Sequence, residues 1–370
     1  MDEKSREMIR TVKSRIIACL DERQRLGTKE AGVTSPSKYW SDFCSFFDYM
    51  LWIPEESFSK LRLHTYHLTG DNYQTYYFKI GAELFKATRQ ELIKDVPSDY
   101  VLYEPEGGIG FLCGNGKLVS HDILRYQQVV NTLYRYGVIS PVAKASEQRK
   151  LVLEIGGGYG GLAHHLLNIC RNATYIIVDL PETLLFSASY LSLLNPQKMI
   201  YIYEGRDFPE FMRSGAIMSY DFVLLPNYKL DSLAHLRFDL VINVASLQEM
   251  RTSQAEEYLN FIRETCRGIF YSWNQDHQPR NKELSDLSDL LRERFELTEV
   301  LDWRTIKPCE RMTTRRKLKL KLREMLKRMA ILISLLDKPE DTGPDLPYKE
   351  YICKPLPLSK NADGKQERLE

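Results

Sequence analysis

The sequence predicts an α/β protein: a mostly parallel sheet covered by helices, preceded by a smaller, mainly helical region. Three observations predict it. From Lys150 onward, short apolar runs alternate with helix-spaced patterns, as in parallel sheets whose strands are joined by crossover helices. The first run ends in a glycine-rich turn, Gly156-Gly157-Gly158-Tyr159-Gly160-Gly161, at a strand-to-helix junction. The second run ends in an acid, Asp179, 25 residues after Glu154.

Taken in order, Ile9, Val12, Ile16 and Leu20 recur at helical spacing among charges, which predicts an amphipathic first helix over residues 1 to about 26. Residues 36–100 are rich in aromatics, including Tyr39, Trp40, Phe43, Phe46 and Phe47, mostly at helical spacing; 76–80 is read as a strand. Residues 106–116 hold the glycines of a loop or tight hairpin, and 121–136 return to a helical pattern. A polar connector over 141–150 follows. Strands are then predicted at 151–155, 174–178, 238–244, 268–273, 295–303 and 348–354, with helices at 161–170, 182–194 and 253–266. Pro181 suits the first turn of the second of these helices. Both 199–203 and 221–226 fit the third strand; the second is preferred, and the first is then an inserted strand. The organisation read from this is a helical region at 1–120, the α/β domain at 121–358 with an insertion at about 304–346, and a polar tail at 359–370.

Composition narrows the function. With 51 Lys+Arg against 50 Asp+Glu the net charge is +1, which argues against a nucleic-acid partner, whose footprint would be a basic excess. No run approaches the roughly 18 apolar residues of a membrane span. The charged N-terminus lacks the apolar stretch of a signal peptide. Seven scattered cysteines without a CxxC pair suggest neither disulfides nor zinc, and the economical compartment is the reducing cytoplasm.

The glycine turn lets backbone approach a ligand with no Cβ between, at the N-terminus of a helix. Glu154 lies just before the turn, where a carboxylate could accept hydrogen bonds from an ammonium group. Asp179 stands where an acid holds the two ribose hydroxyls of a nucleoside. Gly156, Gly158 and Gly161 also satisfy the dinucleotide pattern, but Glu154 would face a pyrophosphate as a like charge.

On these residues, segments 151–275 resemble the class I S-adenosylmethionine-dependent methyltransferases. They resemble more narrowly a sugar O-methyltransferase family. The matching stretches are LEIGGGYGGLA (153–163), YIIVDLPETL (175–184), DFVLLPN (221–227), FDLVINVASLQEM (238–250) and YSWNQ (271–275). The resemblance implies a Rossmann-like, seven-stranded methyltransferase sheet and S-adenosyl-L-methionine as cofactor. It also implies methyl transfer to a sugar hydroxyl on a nucleotide-, lipid- or glycan-linked acceptor. Glu154, Gly156, Gly157, Gly158, Gly160 and Asn243 would line the cofactor; Asp179 would bind the ribose, with Leu180 and Asn227 near the adenine and Asp207 as the rival of Asn227. Three other readings stay open: a phenolic or other natural-product O-methyltransferase, a nicotinamide-dependent oxidoreductase, and a non-catalytic adaptor on the same fold.

Methylating an alcohol needs a base, because the hydroxyl is a weak nucleophile until its proton is leaving. Ligands in such sheets bind beyond the carboxyl ends of the strands. The catalytic candidates there are Glu249 on one loop, with Asp276 and His277 on the next. Glu249 could instead cap the following helix, and His277 could be a solvated loop residue. Asn243, Ser246, Gln248, Asn274 and Gln275 could meet sugar hydroxyls, and the N-terminal aromatics could stack on the ring or simply form a core. No cluster has metal-ligand spacing, so no metal is assigned; one could bind only through Asp276, His277 and Glu249.

Residues 315–328 carry eight basic side chains against one acidic, Glu324, so the rest of the chain is mildly acidic. Leu318, Leu322, Met325, Met329, Leu332 and Leu336 form one apolar stripe. A basic amphipathic helix at 315–336 could pack on the domain, mediate self-association, or touch an anionic membrane surface peripherally.

Overall fold

The computed structural model describes residues 1–27, 35–139, 148–278, 281–300 and 348–357. The basic segment 315–336 and the tail from 359 lie outside the described residues.

The helices, in chain order, are α1 (Glu3–Leu26), α2 (Lys38–Phe47), α3 (Tyr49–Trp52), α4 (Tyr66–Thr69), α5 (Tyr73–Tyr77), α6 (Ala82–Ile93), α7 (His121–Arg135), α8 (Gly161–Ile169), α9 (Pro181–Leu194), α10 (Phe208–Arg213), α11 (Thr252–Thr265) and α12 (Leu287–Arg292). The strands are β1 (Phe111–Leu112), β2 (Leu118–Val119), β3 (Lys150–Ile155), β4 (Ala173–Asp179), β5 (Ile200–Ile202), β6 (Phe222–Pro226), β7 (Phe238–Val244), β8 (Cys266–Gln275), β9 (Phe295–Val300) and β10 (Tyr348–Pro355).

β3 to β10 form one sheet in the order β5-β6-β4-β3-β7-β8-β10-β9. Strands β3 to β8 are parallel, and β10 runs antiparallel between β8 and β9. This is the predicted Rossmann-like methyltransferase sheet with one strand more. Both candidates for the third strand form: β6 pairs with β4, and β5 adds outside it as an edge strand. The strand read at 76–80 is not one. Tyr73–Tyr77 is a helical turn capped by Asn72, and Lys79 has φ +52, which breaks any extended run.

From β3 the chain moves outward through β4 to β6 and β5, then returns to the other side of β3 as β7. The crevice beyond the carboxyl ends of β3 and β7 is therefore the switch point at which ligands bind. Alternation along β3 sends Val152 into the apolar cluster on one face and Leu151, Leu153 and Ile155 into the cluster on the other. The first cluster is continuous with the N-terminal helices: Ile9, Val12 and Ile16 of α1, Phe47 of α2 and Phe186 of α9 share it. The helical region thus roofs one face of the sheet, right beside the switch point. α7 belongs to the same roof, started by Ser120, whose hydroxyl accepts from the Ile123 N–H at 3.0 Å. Among the described residues, six cysteines are free thiols, and no helix is long and apolar enough to cross a membrane.

Candidate functional site

A cavity of about 560 Å³ opens at the switch point. Its floor is the glycine turn and the end of β4; its walls are the segment after β7, α2, α4 and α7. Gly156 is required here. Its φ is +74, and a Cβ would lie 2.2 Å from the Ser246 hydroxyl, which closes the turn from the β7 side.

Of the residues expected at the cofactor, Glu154, Gly156, Gly157, Gly158, Asp179, Leu180 and Asn227 line this cavity. Glu154 is buried beneath the turn, where the Tyr175 hydroxyl donates to it at 3.0 Å. Burial outweighs that bond and pushes its carboxyl up to about 8. Asp179 accepts from the Gly158 N–H at 3.0 Å and the Leu180 N–H at 2.7 Å; burial still raises it to about 6.

Two expected residues stand elsewhere. Gly160 is not on the cavity wall; it has φ +82 and faces Leu191 and Ser187, a requirement of helix packing. Asn243 is fully buried as a pin. Its amide donates to the Ile155 carbonyl at 2.9 Å and the Ser246 hydroxyl at 2.7 Å, and its oxygen accepts from the Asn274 amide at 2.9 Å. Gln248 continues the scaffold: its oxygen accepts from the Gln275 N–H at 2.7 Å and its amide donates to the Tyr348 hydroxyl at 3.2 Å. Much of the polar set expected to meet hydroxyls therefore fastens β7 to β3 and β8. Ala245, with φ +57, makes the bend that this scaffold holds.

The scaffold places Glu249 on the cavity wall. The Trp40 indole N–H donates to its carboxylate at 2.8 Å, and the Ser37 hydroxyl donates to its backbone carbonyl at 2.6 Å. Burial pushes the carboxyl up to about 8; the Trp40 bond lowers it, the charge of Asp179 raises it and that of Arg125 lowers it. Asp276 and His277 do not join it. β8 runs to Gln275, and the next carboxylate, Asp276, is taken by Lys349 of β10 and by the Ser288 hydroxyl. The His277 ring lies 3.6 Å from Asp286 and is about half exposed, and neither residue lines the cavity. No metal-binding group of His, Cys, Asp and Glu occurs among the described residues.

Sequence reasoning missed α7. Asp122, Arg125 and Tyr126, at helical spacing i, i+3, i+4, present one polar face to the cavity. That face was visible in the sequence, but nothing there said that α7 would cross the glycine turn. Asp122 also belongs to a buried cluster: the Arg62 guanidinium reaches Asp122 at 2.8 Å, Glu104 at 3.1 Å and Asp71 at 3.7 Å. Arg62 stacks over Tyr159 of the glycine turn at 4.2 Å. The aromatics Trp40, Phe43, Tyr66 and His67 line the outer wall, with Phe43 5.8 Å from Trp40 and 6.1 Å from His67 between ring centres.

No family model and no curated protein sequence matches this chain. Solved structures do match over parts of it. An O-methyltransferase family protein from Burkholderia thailandensis is 11% identical over 63% of this chain and 58% of its own, with a TM-score of 0.31. A precorrin-6y C5,15-methyltransferase from Geobacter metallireducens is 13% identical over 41% of this chain and 67% of its own, with a TM-score of 0.29. The protein PKMT2 from Rickettsia typhi, solved in complex with AdoHcy, is 14% identical over 34% of this chain and 20% of its own, with a TM-score of 0.23. The chain thus spans between a fifth and two thirds of these proteins.

Proposed function

We propose that this chain binds S-adenosylmethionine at the β3–β4 end of the cavity and methylates a hydroxyl on a ring-bearing acceptor, a sugar by the sequence resemblance. One observation carries the reading: a buried carboxyl, Glu154, beneath a glycine turn, with Asp179 at the end of the neighbouring strand. Such an acid is held in its protonated form until a cation arrives to pair with it, which suits an ammonium. Glu154 would hold the ammonium of the methionine part and Asp179 the ribose hydroxyls, with Leu180 and Asn227 beside the base. Held there, S-adenosylmethionine would supply an electrophilic methyl group on a positively charged sulfur, with the neutral thioether as the leaving group. Glu249 receives the hydroxyl proton, and Trp40 fixes the carboxylate that does so. The aromatic outer wall favours a second acceptor class as well, a phenolic natural product, whose planar ring would stack there.

Calorimetry decides the cofactor. S-adenosylmethionine and S-adenosylhomocysteine bind and NADH does not; Asp179→Ala weakens both by tenfold or more through loss of charge-assisted bonds. A folded chain that binds neither, or an unchanged affinity in the variant, overturns the reading.

The affinity also depends on pH. Carboxyls raised to about 8 and about 6 in the free protein must lose protons to pair with a cation and to accept from hydroxyls. Affinity for S-adenosylmethionine therefore rises with pH through 6 to 8 and levels off above, with net proton release on binding, read by titrations in buffers of different ionisation enthalpy. Glu154→Gln flattens the upper part of that rise.

A further inference from the structure

An arginine and a carboxylate face the same cavity without pairing. Arg125 of α7 and Glu249 both line it, and no ion pair joins them among the described residues. The guanidinium is held by one nitrogen: Nη1 donates to the Thr69 carbonyl at 3.0 Å and approaches Asp122 at 3.4 Å. Asp122 turns its other oxygen to Arg62 at 2.8 Å. Nε and Nη2 of Arg125 meet no partner among the described residues, and the side chain keeps 39% of its surface open. It is the sole Lys or Arg among the described residues lining the cavity. Of the four acids there, Glu154 and Asp179 sit at the glycine turn and Asp122 in the Arg62 cluster. Glu249 and Arg125 remain for whatever fills the outer part, between aromatic rings.

We propose that Arg125 binds an oxyanion substituent of the acceptor, a carboxylate or a phosphate, while Glu249 meets its hydroxyl. The acceptor is then an anionic ring compound, a sugar acid, a sugar phosphate or a phenolic acid. A guanidinium on the cavity wall, held through Nη1 and with the adjacent donors Nε and Nη2 left over, suits bidentate capture of such a group. A neutral acceptor would leave Nε and Nη2 without an acceptor in a partly desolvated wall, since Thr69 and Asp122 meet only Nη1. This inference deepens the methyl-transfer reading and rests on it for the role of Glu249.

The test is calorimetric and uses matched probes on the full chain saturated with S-adenosylhomocysteine. Glucuronate and glucose 6-phosphate are compared with glucose, and 4-hydroxybenzoate with 4-hydroxybenzyl alcohol. At least one anionic probe binds tenfold or more tightly than its neutral counterpart, and which one it is separates carboxylate from phosphate and sugar from phenol. Arg125→Gln removes that preference, Arg125→Lys keeps a weaker one, and both bind S-adenosylhomocysteine within about twofold of the parent chain. No preference in the parent chain overturns the proposal without recourse to any variant, as does a preference that survives Arg125→Gln. If S-adenosylhomocysteine itself fails to bind, the cofactor reading falls, and the same probes titrated into the free chain still decide the anion site.

Discussion

Glu249→Gln lowers the turnover of methyl transfer by about 10²- to 10⁴-fold, the range expected when a positioned general base is lost, while the affinity for S-adenosylhomocysteine changes little. Glutamine keeps the volume of the side chain and an oxygen that can accept from the Trp40 indole at the position where Glu249 now does, at 2.8 Å. The loop therefore stays in place and the loss is chemical. A pH profile separates the two contributions. The carboxyl, raised to about 8 by burial, must be unprotonated to work, so kcat/KM for the acceptor falls as pH drops below that value. A bound sulfonium beside it favours the charged form, which places the acid limb at or below about 8. The variant shows a flat profile at a low level. If it keeps the parent's rate, Glu249 is not the base. If it loses rate together with cofactor affinity and thermal stability, its role is structural. Trp40→Phe provides the complementary case. It removes the indole donor that lowers the carboxyl, so the acid limb moves to higher pH.

The sheet was legible because a parallel strand buried on both faces is an unbroken apolar run, and because glycine turns and terminal acids punctuate such runs. The readings 151–155, 221–226 and 238–244 therefore fall on Lys150–Ile155, Phe222–Pro226 and Phe238–Val244 to within one residue at an end. The failure at Tyr76–Ile80 has the opposite cause. β-favouring aromatics followed by Lys79 and Ile80 resemble a strand, but their neighbours in space decide. The Tyr76 hydroxyl donates to Asp71 and accepts from the His121 backbone N–H at 2.8 Å, contacts that fix a helical turn.

The site was legible in halves. The residues at the glycine-turn end of the cavity lie within a few positions of a strand end, so strand assignment nearly places them. The acceptor side is assembled across the chain: Trp40, Arg125 and Glu249 meet only because α2 and α7 roof the switch point. Asn243, Ser246 and Gln248 carry polar side chains at a strand end, which sequence reads as contacts for a ligand. Their bonds to Ile155, Asn274 and Gln275 make them the frame that holds Glu249; Asn243 stands off the cavity wall, while Ser246 and Gln248 also line it. Asp276 and His277 fell away for a related reason: Lys349, 73 positions further on, occupies the first, and Asp286 faces the second.

Arg62→Met destabilises the fold by about 3–5 kcal/mol, the cost of leaving buried charges without their partner. No spacing in the sequence announces this residue, since its partners are drawn from positions 71, 104 and 122. Met keeps an unbranched apolar stem and lacks the charged head. Asp71, Glu104 and Asp122 then share an interior with Arg125 as the nearest cation, bonded to Asp122 at 3.4 Å. Burial already raises the carboxyls of Glu104 and Asp122, and the Arg62 charge holds both lower than burial alone would. Without it they rise further, so the folded variant takes up protons that the unfolded chain does not at neutral pH. Stability of the variant consequently increases as pH falls from 8 towards 5, and the difference from the parent narrows over that window. Denaturant unfolding at the two pH values measures this; an equal loss at both would mean that packing, not charge, is what Arg62 supplies. The same substitution removes the cation stacked at 4.2 Å over Tyr159, in the middle of the glycine turn. Cofactor affinity therefore falls even under conditions in which the variant is fully folded. Combining Arg62→Met with Asp122→Asn removes one of the stranded carboxylates and restores part of the stability. Because Tyr159 still lacks its cation in that double variant, stability recovers while cofactor affinity does not, and this separates support of the fold from support of the glycine turn.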